Sequence, residues 1–388
     1  MGGEWQETAL GAVIELKRGY DLPQQQRRLG RVPLVSSSGV TDYHAVAMVK
    51  GPGVVTGRYG TLGQVFFVPD DFWPLNTTLY VRDFKGNDPR FISYFLRGLD
   101  FLAYSDKAAV PGLNRNHLHQ ARVRLPSDIS EQRAIAHILG TLDDKIELNR
   151  QMNETLEAMA RALFKSWFVD FDPVQAKAEG RNPSLPEPIA DLFPNRFVDS
   201  ELGEIPEGWE AKTWGDLVIL EYGKSLREYD GNTGVYPVYG TNGRIGYHSE
   251  PLCTHPGIII GRKGAYRGVH FCSEPFFVID TAFYVEPRKP VDLRWAYYEL
   301  LRRDINSMDS GSAIPSTSRA DFYSLPVCSS PFQVQQAFAR LLNPFWVRQK
   351  KAHQDSAILA TLRDTLLPKL ISGELRLKDA ERFIGRAV

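Results

Sequence analysis

The sequence predicts an α/β (α+β) chain, with two duplicated α/β domains separated by two long antiparallel coiled-coil helices in a pseudo-two-fold arrangement. Three observations predict this class. The chain matches itself at one fixed offset, each copy carries short strand-like runs before a helix, and two long stretches have a 3.5-residue apolar repeat. Its 388 residues suffice for two or three domains of typical size.

The self-match appears when the chain is shifted by 204 residues, which places Trp5 on Trp209. One register over more than a hundred residues does not arise by chance, and the period is far longer than a solenoid repeat. Each copy is therefore predicted to be a whole domain with its own core. The same offset aligns Gly19 with Gly223, Pro33 with Pro237, His44 with His248, Arg58 with Arg262, Gly60 with Gly264, Pro111 with Pro315 and Arg115 with Arg319.

Each copy carries signals for strands and then a helix. In the first copy, β-branched and aromatic runs bounded by Gly, Pro and Asp predict strands at 53–58, 64–68 and 79–84, and helical spacing predicts a helix at 90–104. In the second copy the corresponding strands are 257–261, 268–271 and 283–285, followed by a helix near 293–303.

Two long helices are predicted by heptad spacing. The first seam runs from Ile135 to Trp167 with Asn149 and Asn153 at its centre, and the second runs from Phe338 to Leu370 with a similarly polar centre. The simplest way to bury both seams is antiparallel pairing of residues 130–168 with residues 331–371, which would bring the polar centres together. The alternative is that each helix packs only on its own domain.

The predicted organisation has five parts. They are an α/β domain at 1–129, a central helical spacer at 130–171, a Pro-rich linker at 172–204, a second α/β domain at 205–330, and a C-terminal helical spacer with tail at 331–388.

Composition narrows the class of protein. The chain is 43% hydrophobic and 24% charged, as in ordinary soluble globular proteins, and no apolar run approaches the roughly 20 residues of a membrane span. Three cysteines, all in the second copy and without CxxC spacing, predict a reducing cytoplasm and no metal site. A net charge of zero argues against a broad polybasic surface but leaves room for local basic loops.

No catalytic constellation is predicted. Residues 223–225, Gly-Lys-Ser, lack the upstream glycine of a phosphate-binding loop, and residues 343–346, Asn-Pro-Phe-Trp, lack the second proline of an amino-methyltransferase box. The matched His44 and His248 have no evident nucleophile or carboxylate partner and are interpreted as turn or binding-loop histidines.

One nuclease-like pattern stays open as an alternative. Asp70 followed by Asp83 and Lys85 suits a metal-dependent nuclease of the PD-(D/E)xK type, in which two carboxylates bind Mg²⁺ and a lysine lies near the attacking water. The second copy does not repeat this pattern.

Three matched pairs of loops carry residues suited to an extended polar ligand: 36–39 with 240–243, 57–61 with 261–265, and 112–116 with 316–320. Glycines let a backbone approach closely, arginines suit phosphate or guanine, and Ser, Thr and Asn suit base edges. The predicted DNA-contacting residues are Ser36, Ser38, Arg58, Tyr59, Thr61, Asn114 and Arg115 in the first copy, and Thr241, Asn242, Arg244, Arg262, Lys263, Tyr266, Ser318 and Arg319 in the second.

Three further segments resemble one family. Residues 163–173, LFKSWFVDFDP, resemble the central region of type I restriction-modification specificity (S) subunits. Residues 202–209, LGEIPEGW, resemble the segment that opens their second target-recognition domain, and residues 366–375, LLPKLISGEL, resemble the end of their C-terminal helix.

The resemblance implies a non-catalytic subunit in which two target-recognition domains recognise the halves of a bipartite site on double-stranded DNA. It also implies two methyltransferase (M) subunits and restriction (R) subunits as partners. No cofactor is expected in this chain, because AdoMet, ATP and Mg²⁺ would belong to those partners. The competing hypothesis from another class is a protein–protein scaffold that does not contact DNA.

Overall fold

The structure, a computed structural model, describes residues 5–105, 112–227, 234–308 and 315–377. Pro111, matched to Pro315 in the sequence, and residues 378–388 of the predicted tail lie outside these ranges. The chain forms two compact units. We call residues Met1–Gln151 with Lys351–Val388 unit 1, and residues Met152–Lys350 unit 2.

The strands of unit 1 form two small sheets and a two-stranded ribbon. One sheet is antiparallel with the order β2-β8-β5-β6, and the other has the order β4-β3-β7, with β3 antiparallel to β4 and parallel to β7. The ribbon pairs β1 with β9. The bounds are β1 Trp5–Ala9, β2 Glu15–Arg18, β3 Val32–Ser36, β4 Gly39–His44, β5 Gly53–Gly57, β6 Val65–Val68, β7 Trp73–Pro74, β8 Thr78–Asp83 and β9 Arg122–Pro126.

Three short helices complete the α/β part of unit 1: α1 Leu10–Val13, α2 Pro89–Arg97 and α3 Arg115–His119. Helix α2 starts after Asp88, whose carboxylate accepts a 2.8 Å hydrogen bond from the Phe91 amide, and Pro89 fills the first helical position. The sequence predicted one helix at 90–104. The structure ends it at Arg97, and a separate 3₁₀ turn at Phe101–Tyr104 begins after the capping residue Asp100.

Unit 2 repeats this arrangement and adds a connecting segment. Its sheets have the orders β13-β19-β16-β17 and β15-β14-β18, and β12 pairs with β20. The repeated bounds are β12 Glu210–Thr213, α7 Trp214–Leu217, β13 Val218–Tyr222, β14 Tyr236–Gly240, β15 Gly243–His248, β16 Gly257–Gly261, β17 Val269–Cys272, β18 Phe277–Val278, β19 Ala282–Pro287, α8 Leu293–Leu301, α9 Arg319–Ser324 and β20 Pro326–Ser329.

The duplication extends to single hydrogen bonds. In unit 1 the Leu16 amide donates to the His119 Nε2 atom at 2.9 Å, and in unit 2 the matched Leu220 amide donates to the Tyr323 hydroxyl, also at 2.9 Å. Different side chains therefore satisfy the same buried strand position, which means that the fold constrains the bond more tightly than the residue type.

The two long helices are α4 Ile129–Phe168 and α10 Phe332–Ser372. In unit 1, Arg363 donates to the Asp143 carboxylate at 2.7 Å, and the buried Asn149 amide donates to the Ser356 hydroxyl at 3.2 Å. Position numbers fall on one helix as they rise on the other, so the predicted antiparallel pairing is confirmed there. Leu139, Leu142, Leu366 and Leu370 share a core with α2 and the four-stranded sheet.

The same two helices also pair inside unit 2. The Gln349 amide donates to the Asn153 carbonyl at 3.2 Å, and the Phe164 and Phe338 rings lie 5.6 Å apart in edge-to-face contact. Every position of the two predicted seams is buried or half-buried. Gly373 follows the last residue of α10 with a φ of +76°, the left-handed conformation that favours glycine at the end of a helix. Ser330 lies two residues before α10, and its hydroxyl makes no hydrogen bond, so it does not cap the helix.

The segment predicted to be a Pro-rich linker is folded onto unit 2. It contains α5 Asp172–Ala178, α6 Glu187–Ala190 and the hairpin of β10 Phe197–Ser200 with β11 Gly203–Pro206. Val174 and Phe193 are buried in the core of unit 2, where the Phe193 ring contacts Trp167 at 5.1 Å. Prolines lie in the first turn of both helices, where a proline is tolerated, so they do not hold the segment in an extended conformation.

Candidate nucleic-acid interface

Three predicted loops of unit 1 meet around Arg58. The amides of Arg58 and Tyr59 donate to the Thr77 carbonyl at 2.8 and 3.3 Å, and the Arg58 carbonyl accepts from the Leu113 amide at 2.9 Å. A Cβ atom at Gly57 would collide with the Thr61 carbonyl and press on Ser37 of the hairpin at 36–39. The glycine thus permits the close approach of hairpin and loop.

These loops border a cleft of about 390 Å³. Arg18, Arg58 and Arg115 line it together with Tyr59, and the described lining residues include no carboxylate. The Arg58 guanidinium lies 4.6 Å from the centre of the Tyr59 ring, which limits its rotation without neutralising its charge. No described acid forms an ion pair with Arg58 or Arg115, so the cleft combines three cations and is suited to an anionic ligand.

The corresponding loops of unit 2 meet in the same way. The amides of Arg262 and Lys263 donate to the Thr281 carbonyl at 2.9 and 3.1 Å, and the Arg262 carbonyl accepts from the Thr317 amide at 2.8 Å. A Cβ atom at Gly261 would collide with the Thr241 carbonyl, as its counterpart would at position 57. The three predicted loops of each unit therefore lie together within that unit.

The arginines of unit 2 are arranged around a tyrosine. The guanidinium groups of Arg262 and Arg319 lie 4.8 and 4.9 Å from the centre of the Tyr222 ring. Arg262 also donates to the Asp280 carbonyl at 3.0 Å, and Arg319 donates to the Tyr323 hydroxyl at 3.0 Å. The hydrogen bond to Tyr323 raises the pKa of Arg319 above its ordinary value. Two charged forks are thus held in fixed positions on one ring.

Several other predicted residues lie exposed near these loops. Tyr266 is 79% exposed, and Asn242, Lys263 and Thr61 are also exposed. Arg244 is exposed on β15, where it donates to the Tyr247 hydroxyl at 2.8 Å. Ser38 is exposed, and its hydroxyl lies 2.9 Å from that of Ser36 within the hairpin turn.

Three predicted residues use their polar atoms inside the protein. The Thr241 hydroxyl lies 2.6 Å from both the Lys263 and Thr281 carbonyls, so its single proton is committed. Ser318 caps α9 by accepting from the Asp321 amide at 3.2 Å, and Asn114 caps α3 by accepting from the Asn116 amide at 2.9 Å. Their geometry assigns them to shaping the loops, as expected for residues that favour helix N-caps.

Sequence reasoning missed Arg18 and Tyr222. They occupy matched positions, 204 residues apart, immediately before the matched glycines Gly19 and Gly223. Both are polar residues at the end of a strand, which is the signal that could have revealed them. Asn116 was missed as well and lines the cleft of unit 1.

The residues that were considered for catalytic sites make structural contacts. The His44 ring is buried, accepts from the Arg28 amide at 2.9 Å and packs edge-on against Trp73, while His248 packs against Phe277. Lys85 of the nuclease-like pattern donates to the Gly11 carbonyl at 2.8 Å. Residues 343–346 lie within α10, where the Trp346 ring stacks on Tyr298 at 6.2 Å.

Comparisons with known proteins agree on one family. A family model described as "Type I restriction modification DNA specificity domain" matches residues 2–158. The specificity subunit of the type I restriction enzyme MjaIX from Methanocaldococcus jannaschii is 24% identical over 368 residues, covering 85% of this chain and 79% of that protein. The chain is similar to type I restriction-modification specificity subunits over most of its length.

A second relative, the specificity subunit of the type I restriction enzyme HindI from Haemophilus influenzae, is 24% identical, covering 71% of this chain and 73% of that protein. A crystal structure of the type I restriction-modification system S subunit from M. genitalium has the same fold, with a TM-score of 0.66, 17% identity, and coverage of 95% of this chain and 96% of that one. Both relatives are named as specificity subunits of type I restriction enzymes. Among the described residues, no helix has the length and hydropathy that a membrane crossing requires.

Proposed function

We propose that each unit of this chain recognises one half of a bipartite site on double-stranded DNA through its three convergent loops. The observation that carries the proposal is that both units place two arginines at matched positions, Arg58 with Arg262 and Arg115 with Arg319, on loops joined by matched backbone hydrogen bonds. Arginine forks bind phosphates and the major-groove edge of guanine.

The two loop surfaces differ in chemistry, so we expect the two units to recognise half-sites of different sequence. Unit 1 adds a third guanidinium, Arg18, whose exposed ion pair with Asp21 at 3.4 Å contributes little. Unit 2 has Tyr222 at that position, and the ring fixes its two arginines. Three less constrained cations suit phosphates and guanine-rich edges, whereas a ring with two fixed forks presents an apolar surface beside its hydrogen-bond donors.

The long helices supply surfaces for partner subunits. In unit 1, Leu148 on α4 and Ile358 on α10 present exposed apolar faces, and in unit 2, Met159 on α4 and Val347 on α10 do the same. Exposed apolar residues on a helix whose seam is already buried indicate a second contact. We assign these faces to two methyltransferase subunits, with restriction subunits completing the complex.

The partners would supply the chemistry that this chain does not. AdoMet for methylation and ATP with Mg²⁺ for restriction belong to the methyltransferase and restriction subunits in this proposal. Since the substrate is the cell's DNA, the proposed location is the cytoplasm.

Methylation mapping with the reconstituted methyltransferase complex tests the proposal. Arg58→Ala should relax or weaken recognition at one half-site and Arg262→Ala at the other, each by about 1–3 kcal/mol. Arg181→Ala is the matched control, because Arg181 is an exposed arginine paired with Glu179 outside the loops. If the replaced arginine contacts a phosphate, the substitution should instead weaken binding to all DNA sequences and reduce the salt dependence of binding.

Two results would reject the proposal in favour of the other classes. Unchanged methylation and binding in both loop variants, with the complex still assembled, would favour a protein–protein scaffold. Mg²⁺-dependent cutting of DNA by the isolated chain would favour a stand-alone nuclease.

A further inference from the structure

A cluster of three potential metal ligands lies in unit 2, away from the arginine loops. Cys253 and His255 belong to the connection between β15 and β16, and Glu286 lies near the end of β19. One ligand atom of each lies within 4.8 Å of the other two, and this is the single such group of three among the described residues.

The separations fit a tetrahedral ion. The His255 Nε2 atom lies 3.2 Å from the Glu286 Oε1 atom and 3.6 Å from the Cys253 Sγ atom, and the sulfur lies 4.0 Å from the same carboxylate oxygen. Zinc bonds of about 2.3 Å to sulfur and about 2.0–2.1 Å to nitrogen and oxygen require ligand atoms about 3.3–3.6 Å apart at tetrahedral angles. Movements of a few tenths of an ångström would complete the coordination.

The surroundings orient these ligands as a metal site requires. The His255 Nδ1 atom lies 2.9 Å from the Pro256 carbonyl, so a proton on Nδ1 leaves the Nε2 lone pair, 3.2 Å from the Glu286 Oε1 atom, available to an ion. The Cys253 Sγ atom lies 3.6 Å from each of the two ring nitrogens. Cys253 is fixed by two 2.9 Å backbone hydrogen bonds with Phe276. Its side chain is buried, whereas His255 and Glu286 are partly exposed and leave a route for an ion and a water ligand.

The duplication shows that the fold itself does not require this cluster. At the matched positions unit 1 has Val49, Gly51 and Arg82, and Arg82 forms an ion pair with Glu15. The backbone of this region is therefore built in unit 1 without any of the three side chains. Where unit 1 has an apolar side chain, a glycine and a cation, unit 2 has a thiol, an imidazole and a carboxylate.

We propose that Cys253, His255 and Glu286 bind one Zn²⁺ ion, with water as the fourth ligand. Binding displaces the Cys253 proton to solvent, and the bound thiolate, the neutral imidazole and the carboxylate hold the metal.

Such an ion would fix the entry to β16. It would tie the connection at 249–256 to β19, while the other end of β16 leads into Arg262 and Lys263. The five residues of β16 span about 17 Å, so the ion is a clamp at the far end of the strand from the proposed DNA surface. Its role is structural, and it is independent of the chemistry of the arginine loops.

Cobalt substitution in the full-length chain tests the site. The reduced protein is stripped with a chelator and titrated with Co²⁺ and then Zn²⁺. One equivalent of Co²⁺ should give a thiolate-to-cobalt charge-transfer band that Zn²⁺ abolishes, and zinc should raise the melting temperature. Cys253→Ser should remove the band and weaken zinc binding by about 100-fold or more, whereas the controls Cys272→Ser and Cys328→Ser should retain both.

His255→Asn and Glu286→Gln serve as second variants should Cys253→Ser fail to fold. Each should lose zinc affinity, and in the absence of metal each should unfold in the same transition as the metal-free wild type. The proposal is overturned if the wild-type chain shows no thiolate–cobalt band and binds no equivalent of zinc. It is also overturned if Cys272→Ser abolishes binding as completely as Cys253→Ser does. A His255–Glu286 ion pair without a metal role would produce the first of these results.

Discussion

The matched hydrogen bonds to His119 and Tyr323 predict that unit 1 loses stability in mild acid through a group that unit 2 lacks. His119 accepts from the Leu16 amide through Nε2, which requires a neutral ring. Tyr323 performs the same role for the Leu220 amide with its hydroxyl oxygen. The perturbation is His119→Tyr, which installs in unit 1 the residue that unit 2 uses.

The direction follows from the environment of the ring. Burial, followed by the charge of Arg115, lowers the pKa of His119 below its ordinary value of 6.5. The folded state therefore binds fewer protons than the unfolded state in the window between the lowered pKa and 6.5, and stability rises with pH there. The contribution of His119 is complete above 6.5 and is lost as the pH falls towards the lowered value.

The magnitude is bounded by linkage. If His119 stays neutral in the folded state, the free energy of unfolding falls by at most about 1.4 kcal/mol for each pH unit below 6.5, or by about 2 kcal/mol at about pH 5. The ring is partly exposed, so solvent screens part of this effect and we expect a loss of about 1 kcal/mol. Protonation also leaves the Leu16 amide without an acceptor, and an unsatisfied buried donor costs about 1–3 kcal/mol. This second cost limits how far protonation proceeds in the folded state.

Hydrogen exchange measured by mass spectrometry reports the effect locally. Corrected for intrinsic rates, a peptide covering residues 10–18 should lose protection between about pH 7.5 and about pH 5 in the wild type but not in His119→Tyr. The matched peptide covering residues 214–222 is the internal control and should behave alike in both proteins. Equal losses at residues 10–18 in the two proteins would show that His119 is not the neutral acceptor described.

Three further outcomes are expected. Asp143→Asn should destabilise unit 1 by about 1.5–3 kcal/mol, because its carboxylate accepts hydrogen bonds from Tyr94, Arg97 and Arg363; denaturant unfolding should show a much smaller change for Asp144→Asn, an exposed neighbour paired with Arg90. In methylation mapping, the effects of Arg262→Ala and Arg319→Ala should fall on the same half-site and be non-additive, since both arginines contact the Tyr222 ring; independent effects on different half-sites would contradict the shared surface. Exchanging residues 205–330 for the corresponding domain of a relative should change one half of the methylated motif, and a change in both halves would show that recognition is not divided between the units.

The sequence predicted those features that repeat or have a period. The offset of 204 residues predicted two similar units, and the heptad spacing predicted both long helices to within a residue or two and placed Asn149 in a buried seam. These features depend on local periodicity and on the match between copies, both of which are visible in one sequence.

The features that the sequence did not reveal depend on contacts between distant residues. Arg18 joins the proposed DNA surface only because β2 lies beside the loops at 58 and 115. Cys253, His255 and Glu286 come together across 33 positions through strand pairing, so a search for CxxC spacing predicted no metal site. The prolines of residues 172–204 predicted a linker, although burial of Val174 and Phe193 folds this segment onto unit 2.

The discontinuity of unit 1 has a consequence for its synthesis. Residues 351–377 contribute Leu366 and Leu370 to a core whose other members, including Leu139 and Leu142, leave the ribosome much earlier. Translating the intervening residues 152–350 takes about 10–40 s at about 5–20 residues per second. Throughout this interval the apolar seam of α4 in unit 1 has no partner, whereas unit 2 is contiguous and can close first. The unit translated first is therefore the last to complete its core, and its uncovered helix is the segment for which a nascent-chain chaperone would have most use.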